Sequence, residues 1–270
     1  MYPRLVHLHG PIWIYSYGTM IALGFLLFLF CMYRHPLRKK LMTADQYFNV
    51  LFVGFIAAIT GGRLLFVLSN LNEFSGKWIE IFFPWEGGFT LLGGIIGVLI
   101  AAPLYLYSIK VPILQVLDIA SLYAPLMQSI ARLGCLLAGC CYGAIAWNTY
   151  WWNSIIFTNS HGFAPCQIPL YPTQIYMSLA SLLIFCIMLM LERVIGSKRG
   201  LLICSYLFLE SFARFMVDFW RGDQEQFYYF SLWSNHKFAL SQLQIFSLTL
   251  CALALLSFFL ITRCNFNQET

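Results

Sequence analysis

The sequence predicts an all-α integral membrane protein of about seven transmembrane helices, and three observations lead there. Of its 270 residues, 60% are hydrophobic and only 10% charged, whereas a soluble domain is nearer about 45–50% and about 25%. Apolar runs long enough to span a bilayer cover 14–33, 47–69, 88–109, 113–137, 172–191, 200–217 and 242–262. The basic residues between those runs fall on one side. Arg34, Arg38, Lys39 and Lys40 follow the first, Lys110 the third, Arg193, Lys198 and Arg199 the fifth, and Arg263 the seventh. The positive-inside rule then puts the N-terminus outside and the C-terminus in the cytoplasm.

Taken in order, the chain opens on MYPRLVHLHGP, a polar, proline-broken stretch unlike a cleavable signal peptide. After the second run, Asn70–Gly88 faces outward and carries Glu73, Glu80 and Glu86 with Trp78 and Trp85. The third run begins in WEGGFTLLGGIIG, with Gly87, Gly88, Gly93, Gly94 and Gly97. Small residues let helices approach closely. The other reading of Gly93 and Gly94 is a helix break that offers backbone N–H groups to a ligand. An outward head segment of about 138–171 holds Trp147, Trp151, Trp152 and His161, and Gly222–Ser241 is polar around an aromatic centre, Phe227–Phe230. These rings suit the lipid–water interface. The whole of 1–270 reads as one polytopic membrane domain. A net charge of +5 without a basic block gives no footprint for nucleic acid. No internal repeat appears, which argues against a transporter.

Four arginines resist the topological explanation. Arg63 lies within the second run, Arg132 at the end of the fourth, Arg214 near the end of the sixth, and Arg221 just beyond it. An arginine at membrane depth costs about 2.5–3.5 kcal/mol on insertion scales, so a partner or an anion is expected. In RFMVDFWRGD, Arg214, Asp218 and Arg221 stand at helical spacing on one face. One reading is a structural ion pair with the second arginine snorkelling. Arg132 has no carboxylate within its own turn. Guanidinium groups clustered at one face suit the phosphate of an anionic lipid in the outward leaflet.

Cys135, Cys140 and Cys141 form C-x4-C-C, with Cys166 in the outward loop. The spacing matches no familiar zinc pattern and the five histidines are scattered. Packing is therefore the expected role, no metal is expected, and the disulfide state of Cys140, Cys141 and Cys166 stays open.

Six pieces, IYSYGTM at 14–20, GGRLLFVL at 61–68, WEGGFTLLGGIIGV at 85–98, ARLGCLLAGCCYG at 131–143, YPTQIY at 171–176 and RFMVDFWRGD at 214–223, together resemble the prolipoprotein diacylglyceryl transferases of bacterial inner membranes over most of the chain. The resemblance implies a multi-pass protein of the bacterial cell (inner) membrane. Its reaction would move the diacylglyceryl group of phosphatidylglycerol to the lipobox cysteine thiol of a prolipoprotein, forming a thioether and releasing glycerol phosphate. It implies no cofactor. Tyr17 matches the tyrosine of the family's Y-G-L-M segment, and Arg132 and Gly143 match the arginine and last glycine of G-R-x-G-N-x-x-N-G-E-x-x-G. Arg214, Asp218 and Arg221 match R-x-x-x-[E]-x-x-R, and Gly93 and Gly94 match the glycines of H-G-G. By that carry-over Arg132, Arg214 and Tyr17 are the candidate catalytic residues. Arg132, Gly93, Gly94, Gly143, Asp218, Arg221 and Arg63 are the candidates for holding substrate.

The chain also departs from the family pattern. Ala131, Cys135, Ala138 and Cys140 replace the signature's leading glycine, its two asparagines and its glutamate, and Leu92 replaces the histidine before G-G. Tyr171 and Met177 replace the ends of H-P-[ST]-Q-x-Y-E. The chemistry asked of the remaining residues is an acceptor thiolate favoured by arginine charge, and a leaving phosphate stabilised by Arg132 and Arg214. Asp218 and Arg221 would orient those groups, and Tyr17 would donate to a lipid oxygen. The alternative is a catalytically silent paralogue that binds phospholipid or a membrane partner through the same cavity, which Leu92 and the missing asparagines favour.

Overall fold

The computed structural model describes residues 4–9, 12–71, 74, 88–147, 150, 153–158, 162–196, 199–222, 227–232 and 236–269. The chain falls into two compact units, residues 1–32 with 117–270, and residues 33–116. Each expected apolar run is a helix: α1 Ser16–Arg34, α3 Ala44–Ser69, α4 Leu91–Ser108, α5 Ile113–Ala138, α6 Thr173–Ile195, α7 Leu201–Val217 and α8 Gln242–Glu269, with a short α2, Pro36–Leu41, between the first two. Among the described residues five of them, α1, α3, α5, α6 and α8, are long and apolar enough to cross a membrane. α4 and α7 are shorter, at 18 and 17 residues.

The protein is mostly helical but not wholly so. Among the described residues there are three two-stranded antiparallel ribbons: β1 Arg4–His9 with β2 Ile12–Tyr15 ahead of α1, β3 Ile155–Ile156 with β4 Pro169–Leu170 between α5 and α6, and β5 Phe227–Leu232 with β6 His236–Ser241 between α7 and α8. The polar opening segment and the aromatic Phe227–Phe230 stretch are thus paired strands, which an all-α reading left out. Glu73, Glu80, Glu86, Trp78, Trp85, Trp151, Trp152 and His161 lie outside the described residues.

In the unit of residues 33–116, α3 starts at a capping box. The Thr43 hydroxyl accepts from Gln46 N–H at 3.2 Å, and the Gln46 side chain accepts from Thr43 N–H at 2.9 Å. α3 and α4 then pack backbone to backbone. A Cβ on Gly61 would overlap the Gly93 carbonyl oxygen, one on Gly93 would overlap that of Gly61, and one on Gly97 that of Ala57. Gly94 N–H is occupied by the Thr90 carbonyl at 3.2 Å. The glycine stretch continues α4 and does not break it; absent side chains let the two helices touch.

In the other unit, α5, α6 and α7 share a core of Leu122, Ile184, Met188, Leu202 and Tyr206. Asp118, buried within α5, fastens α7. Its Oδ2 accepts from Gly200 N–H at 2.6 Å and its Oδ1 from Ile203 N–H at 2.9 Å. A carboxylate there satisfies orphan donors and complements the positive end of the helix. α1 approaches α5 at Gly134, where a Cβ would lie 2.9 Å from Met20 Cβ. These contacts bring the far ends of α5, α6 and α7 together.

Candidate functional site

The site begins where α5 stops. Gly139 takes a left-handed conformation, φ +77°, and Cys140 N–H reaches back to the Cys135 carbonyl at 3.1 Å. This is a Schellman cap, whose bond joins the residue two past the helix to the one three before its end. The cap itself carries Cys140 onto Cys135. Cys141 is also left-handed, with φ 55°, a conformation costing a non-glycine residue about 1–2 kcal/mol.

The first turn of α6 holds that strained corner. Gln174 Nε2 donates to the Cys140 carbonyl and Thr173 Oγ1 to the Cys141 carbonyl, both at 2.9 Å. Both side chains are almost wholly buried. The three sulfur atoms of Cys135, Cys140 and Cys141 end within 4.8 Å of one another. Hydrogen bonding from Cys135 and Cys140, with the Arg132 and Arg221 charges, holds the Cys141 thiol below its ordinary range, while Cys135 and Cys141 push the Cys140 thiol above its own.

The next residues form a knot. Gly143 N–H donates to the Tyr171 carbonyl at 3.1 Å, Ala144 N–H to the Trp220 carbonyl at 2.8 Å, and Gly222 N–H to the Tyr142 carbonyl at 3.2 Å. Gly143 and Arg221 form an isolated antiparallel bridge. A Cβ on Gly143 would overlap the Tyr171 carbonyl oxygen and come 2.9 Å from that of Trp220. Close backbone approach is what this glycine supplies, and it fixes where the chain leaving α7 runs.

That exit corrects one expectation. α7 ends at Val217, Asp218–Trp220 is a turn of 3₁₀ helix, and Arg221 is extended. Arg214, Asp218 and Arg221 therefore do not share one helical face, because the last turn tightens and the chain leaves it before Arg221. Arg221 Nη1 meets Asp218 Oδ1 at 3.5 Å instead.

Arg132, Cys141, Thr173, Gln174, Arg214, Asp218 and Arg221 line one polar pocket, together with Met177 and Val217. The space enclosed is about 10 Å³, near the minimum that holds one water molecule. Among the described residues neither Arg132 nor Arg214 makes a hydrogen bond or an ion pair. Gln174 Oε1 and Asp218 Oδ2 are buried acceptors with no partner there. Burial lifts the Asp218 carboxyl above the usual carboxylate range, against the pull of Arg214 and Arg221. Two half-buried arginines stand beside two buried acceptors that are costly to leave unpaired, and a ligand that carries both an anion and a donor would satisfy both kinds of group.

Beneath the pocket is a polar group that sequence reasoning missed. With its amide turned so that both ends find partners, Gln128 donates to Glu210 at 3.1 Å and accepts from the Tyr206 hydroxyl at 2.9 Å. Glu210 lies within electrostatic reach of Arg132 and Arg214. Its signal in the sequence was an acid four residues before Arg214 in an apolar run. Thr173, Gln174 and Cys141 were also missed as pocket residues.

The structure brings together Arg132, Arg214, Asp218 and Arg221, with Gly143 supporting them. Tyr17, on α1, does not line the pocket, though its backbone passes Gly134 and the Arg132 charge reaches it. Arg63, Gly93, Gly94 and Leu92 belong to the unit of residues 33–116. There Arg63 Nη1 donates to the Gly88 carbonyl at 3.2 Å and lies over the Phe66 and Phe74 rings. Leu92 is exposed on α4.

Comparison with known proteins adds a family. Residues 3–260 match the model of the prolipoprotein diacylglyceryl transferases. A phosphatidylglycerol–prolipoprotein diacylglyceryl transferase of Clostridium tetani is 36% identical over 223 residues, covering 83% of this chain and 86% of that one. A Clostridium perfringens protein named as the second such transferase is 31% identical over 210 residues, 78% and 80% of the two chains. One of Thermotoga maritima is 28% identical over 216 residues, 77% and 70%.

Proposed function

The chain belongs to the prolipoprotein diacylglyceryl transferase family, and we propose that it works as one, moving the diacylglyceryl group of phosphatidylglycerol to a prolipoprotein. The observation that carries the reading is the pocket where Arg132, Arg214 and Arg221 converge with Asp218. The lipid phosphate enters between Arg132 and Arg214, whose guanidinium groups spread to admit it and meet its oxygens as forks. Gln174 Oε1 and Asp218 Oδ2 accept from donors on the same ligand.

The acceptor is the thiol of the lipobox cysteine. Its sulfur, as thiolate, attacks the glyceryl carbon that bears the phosphate; a C–S bond forms, the C–O bond breaks, and glycerol phosphate leaves with the electron pair. Negative charge grows on the departing phosphate, and Arg132 and Arg214 stabilise it in a partly desolvated site. Arg221, paired with Asp218, and the knot at Gly143 keep that geometry. Tyr17 is placed to donate to a lipid oxygen only if α1 turns it inward, so its role is secondary to the arginines. Arg63, Gly93 and Gly94 serve the α3–α4 pair, with contact to substrate left to the assay.

The topology that goes with this reading is seven spans, α4 and α7 included, in one polytopic domain of the bacterial inner membrane. Its N-terminus is outside and its C-terminus in the cytoplasm, and the head at about 138–171 faces outward with the pocket. The test is transfer in vitro from phosphatidylglycerol to a lipobox peptide, read by mass spectrometry. A peptide that gains the diacylglyceryl mass, and fails to with Arg132→Ala, supports the reading. No product, with lipid still bound through Arg132, indicates the silent paralogue.

A further inference from the structure

We propose that Cys135, Cys140 and Cys141 form a three-thiolate site for a thiophilic divalent cation of the zinc type, with a fourth position left open. The geometry comes first. The three sulfur atoms lie within 4.8 Å of one another. Zinc–thiolate bonds of about 2.3 Å set the sulfur–sulfur edge of a tetrahedral site at about 3.8 Å, so a closure of about 1 Å completes the set. No large backbone change is needed, because the frame is already built. The Schellman bond from Cys140 N–H to the Cys135 carbonyl, at 3.1 Å, fixes the first pair. Thr173 and Gln174 fix the carbonyls of Cys141 and Cys140 from α6.

The surroundings fit a metal better than simple packing. Cys135 is buried, while Cys140 and Cys141 are only half-buried, and Cys141 shares the pocket with Arg132 and Arg221. An apolar filler has no need of a left-handed corner at φ 55°, whereas a ligand that must point back at two others does. Three thiolates and one divalent cation carry a net charge of −1, which Arg132 and Arg221 offset. The carbonyl end of α5 is the negative end of its dipole and favours a cation there. Soft thiolate ligands select zinc and its neighbours over magnesium or calcium.

The open position has a use that rests on the transferase reading above. Three protein ligands with one free site is the pattern of a metal that acts on a substrate. The acceptor cysteine supplies the fourth sulfur. On binding, its thiol loses its proton to water. The metal-bound thiolate then attacks the glyceryl carbon, the C–O bond breaks, and the phosphate leaves toward Arg132 and Arg214. The thioether formed is neutral and a weak ligand, so it departs. A chain with Leu92 where the family has a histidine would thus obtain its thiolate without a protein base.

The experiment uses the full chain, purified in detergent and kept reduced, and titrated with cobalt(II) as the probe. A thiolate-to-cobalt charge-transfer band that saturates at one equivalent and is displaced by zinc supports the site. Loss of the band in Cys135→Ser, Cys140→Ser and Cys141→Ser, but not in Cys166→Ser, assigns it. Should those variants fail to fold, zinc protection from N-ethylmaleimide in the unmodified chain replaces them; peptide mass spectrometry must then show protection of the half-buried Cys140 and Cys141 and not of the exposed Cys186. No saturable band, or equal protection by magnesium, overturns the site. A lipobox peptide that shifts the visible cobalt bands supports the open position, and a bound metal that ignores the peptide overturns it. None of these readings needs turnover, so a metal site in an inactive chain is told apart from no site at all.

Discussion

Gln174 Nε2 donates to the carbonyl oxygen of Cys140 at 2.9 Å, linking the start of α6 to the corner that ends α5. The bond is buried on the Gln174 side, and it holds the residue next to the strained Cys141. Gln174→Ala leaves that carbonyl without its donor, at a cost of about 1–3 kcal/mol. The expected result is a lower thermal midpoint and a fall in transferase activity. Gln174→Glu, which cannot donate when ionised, should not restore either. Normal activity in Gln174→Ala would show that the corner does not depend on α6.

Arg132 makes no hydrogen bond or ion pair among the described residues, so its loss should spare the fold. If it stabilises the leaving phosphate, Arg132→Ala lowers turnover by about 10²–10³-fold, the effect of removing one such donor. Arg132→Lys keeps the charge and loses the fork, and it should recover little of the rate. Size-exclusion profile and helix content should match the parent in both variants. An unfolded Arg132→Ala would instead assign the residue to structure.

Gly143 tests the knot behind the pocket. A methyl group there would overlap the Tyr171 carbonyl oxygen and crowd that of Trp220, and neither backbone atom can swing away as a side chain can. Gly143→Ala should therefore displace the chain around Arg221, cutting both yield of folded protein and activity, while Gly18→Ala, with open space at its Cβ, should match the parent. An active Gly143→Ala would show that the knot can loosen without moving the arginines.

The sequence resolved the helices better than the site, for a physical reason. Seven apolar runs became helices, five of them long and apolar enough to cross a membrane among the described residues, because a span demands continuous apolar length with internal hydrogen bonding. The β3–β4 ribbon was hidden, since strands as short as Ile155–Ile156 carry no periodicity. Arg63, Arg132, Arg214 and Arg221 were legible as charges out of place, but Arg221 was put on a helical face that ends at Val217, and Arg63 donates to the Gly88 carbonyl, away from the pocket lining. That Cys140 meets Cys135 was not legible, because C-x4-C has no meaning until Gly139 turns left-handed and the Schellman bond makes five residues into one contact. Thr173 and Gln174 act through backbone carbonyls, which no side-chain motif records.

Asp118 separates fold from site. It lies in α5 far from Arg132 in sequence, and its carboxylate has a structural role, satisfying Gly200 N–H and Ile203 N–H at the start of α7. Asp118→Ala leaves both donors unpaired, and capping losses of this kind cost about 0.5–2 kcal/mol. Asp118→Asn retains one acceptor oxygen and loses the charge that complements the helix dipole, so its penalty should be smaller than that of alanine. The expected order of thermal midpoints is parent, Asp118→Asn, Asp118→Ala, with turnover per folded molecule unchanged below the transition. A loss of turnover in the folded fraction would mean that the α7 anchor also sets the position of Arg214, and the site would then extend through α7 to its capped end.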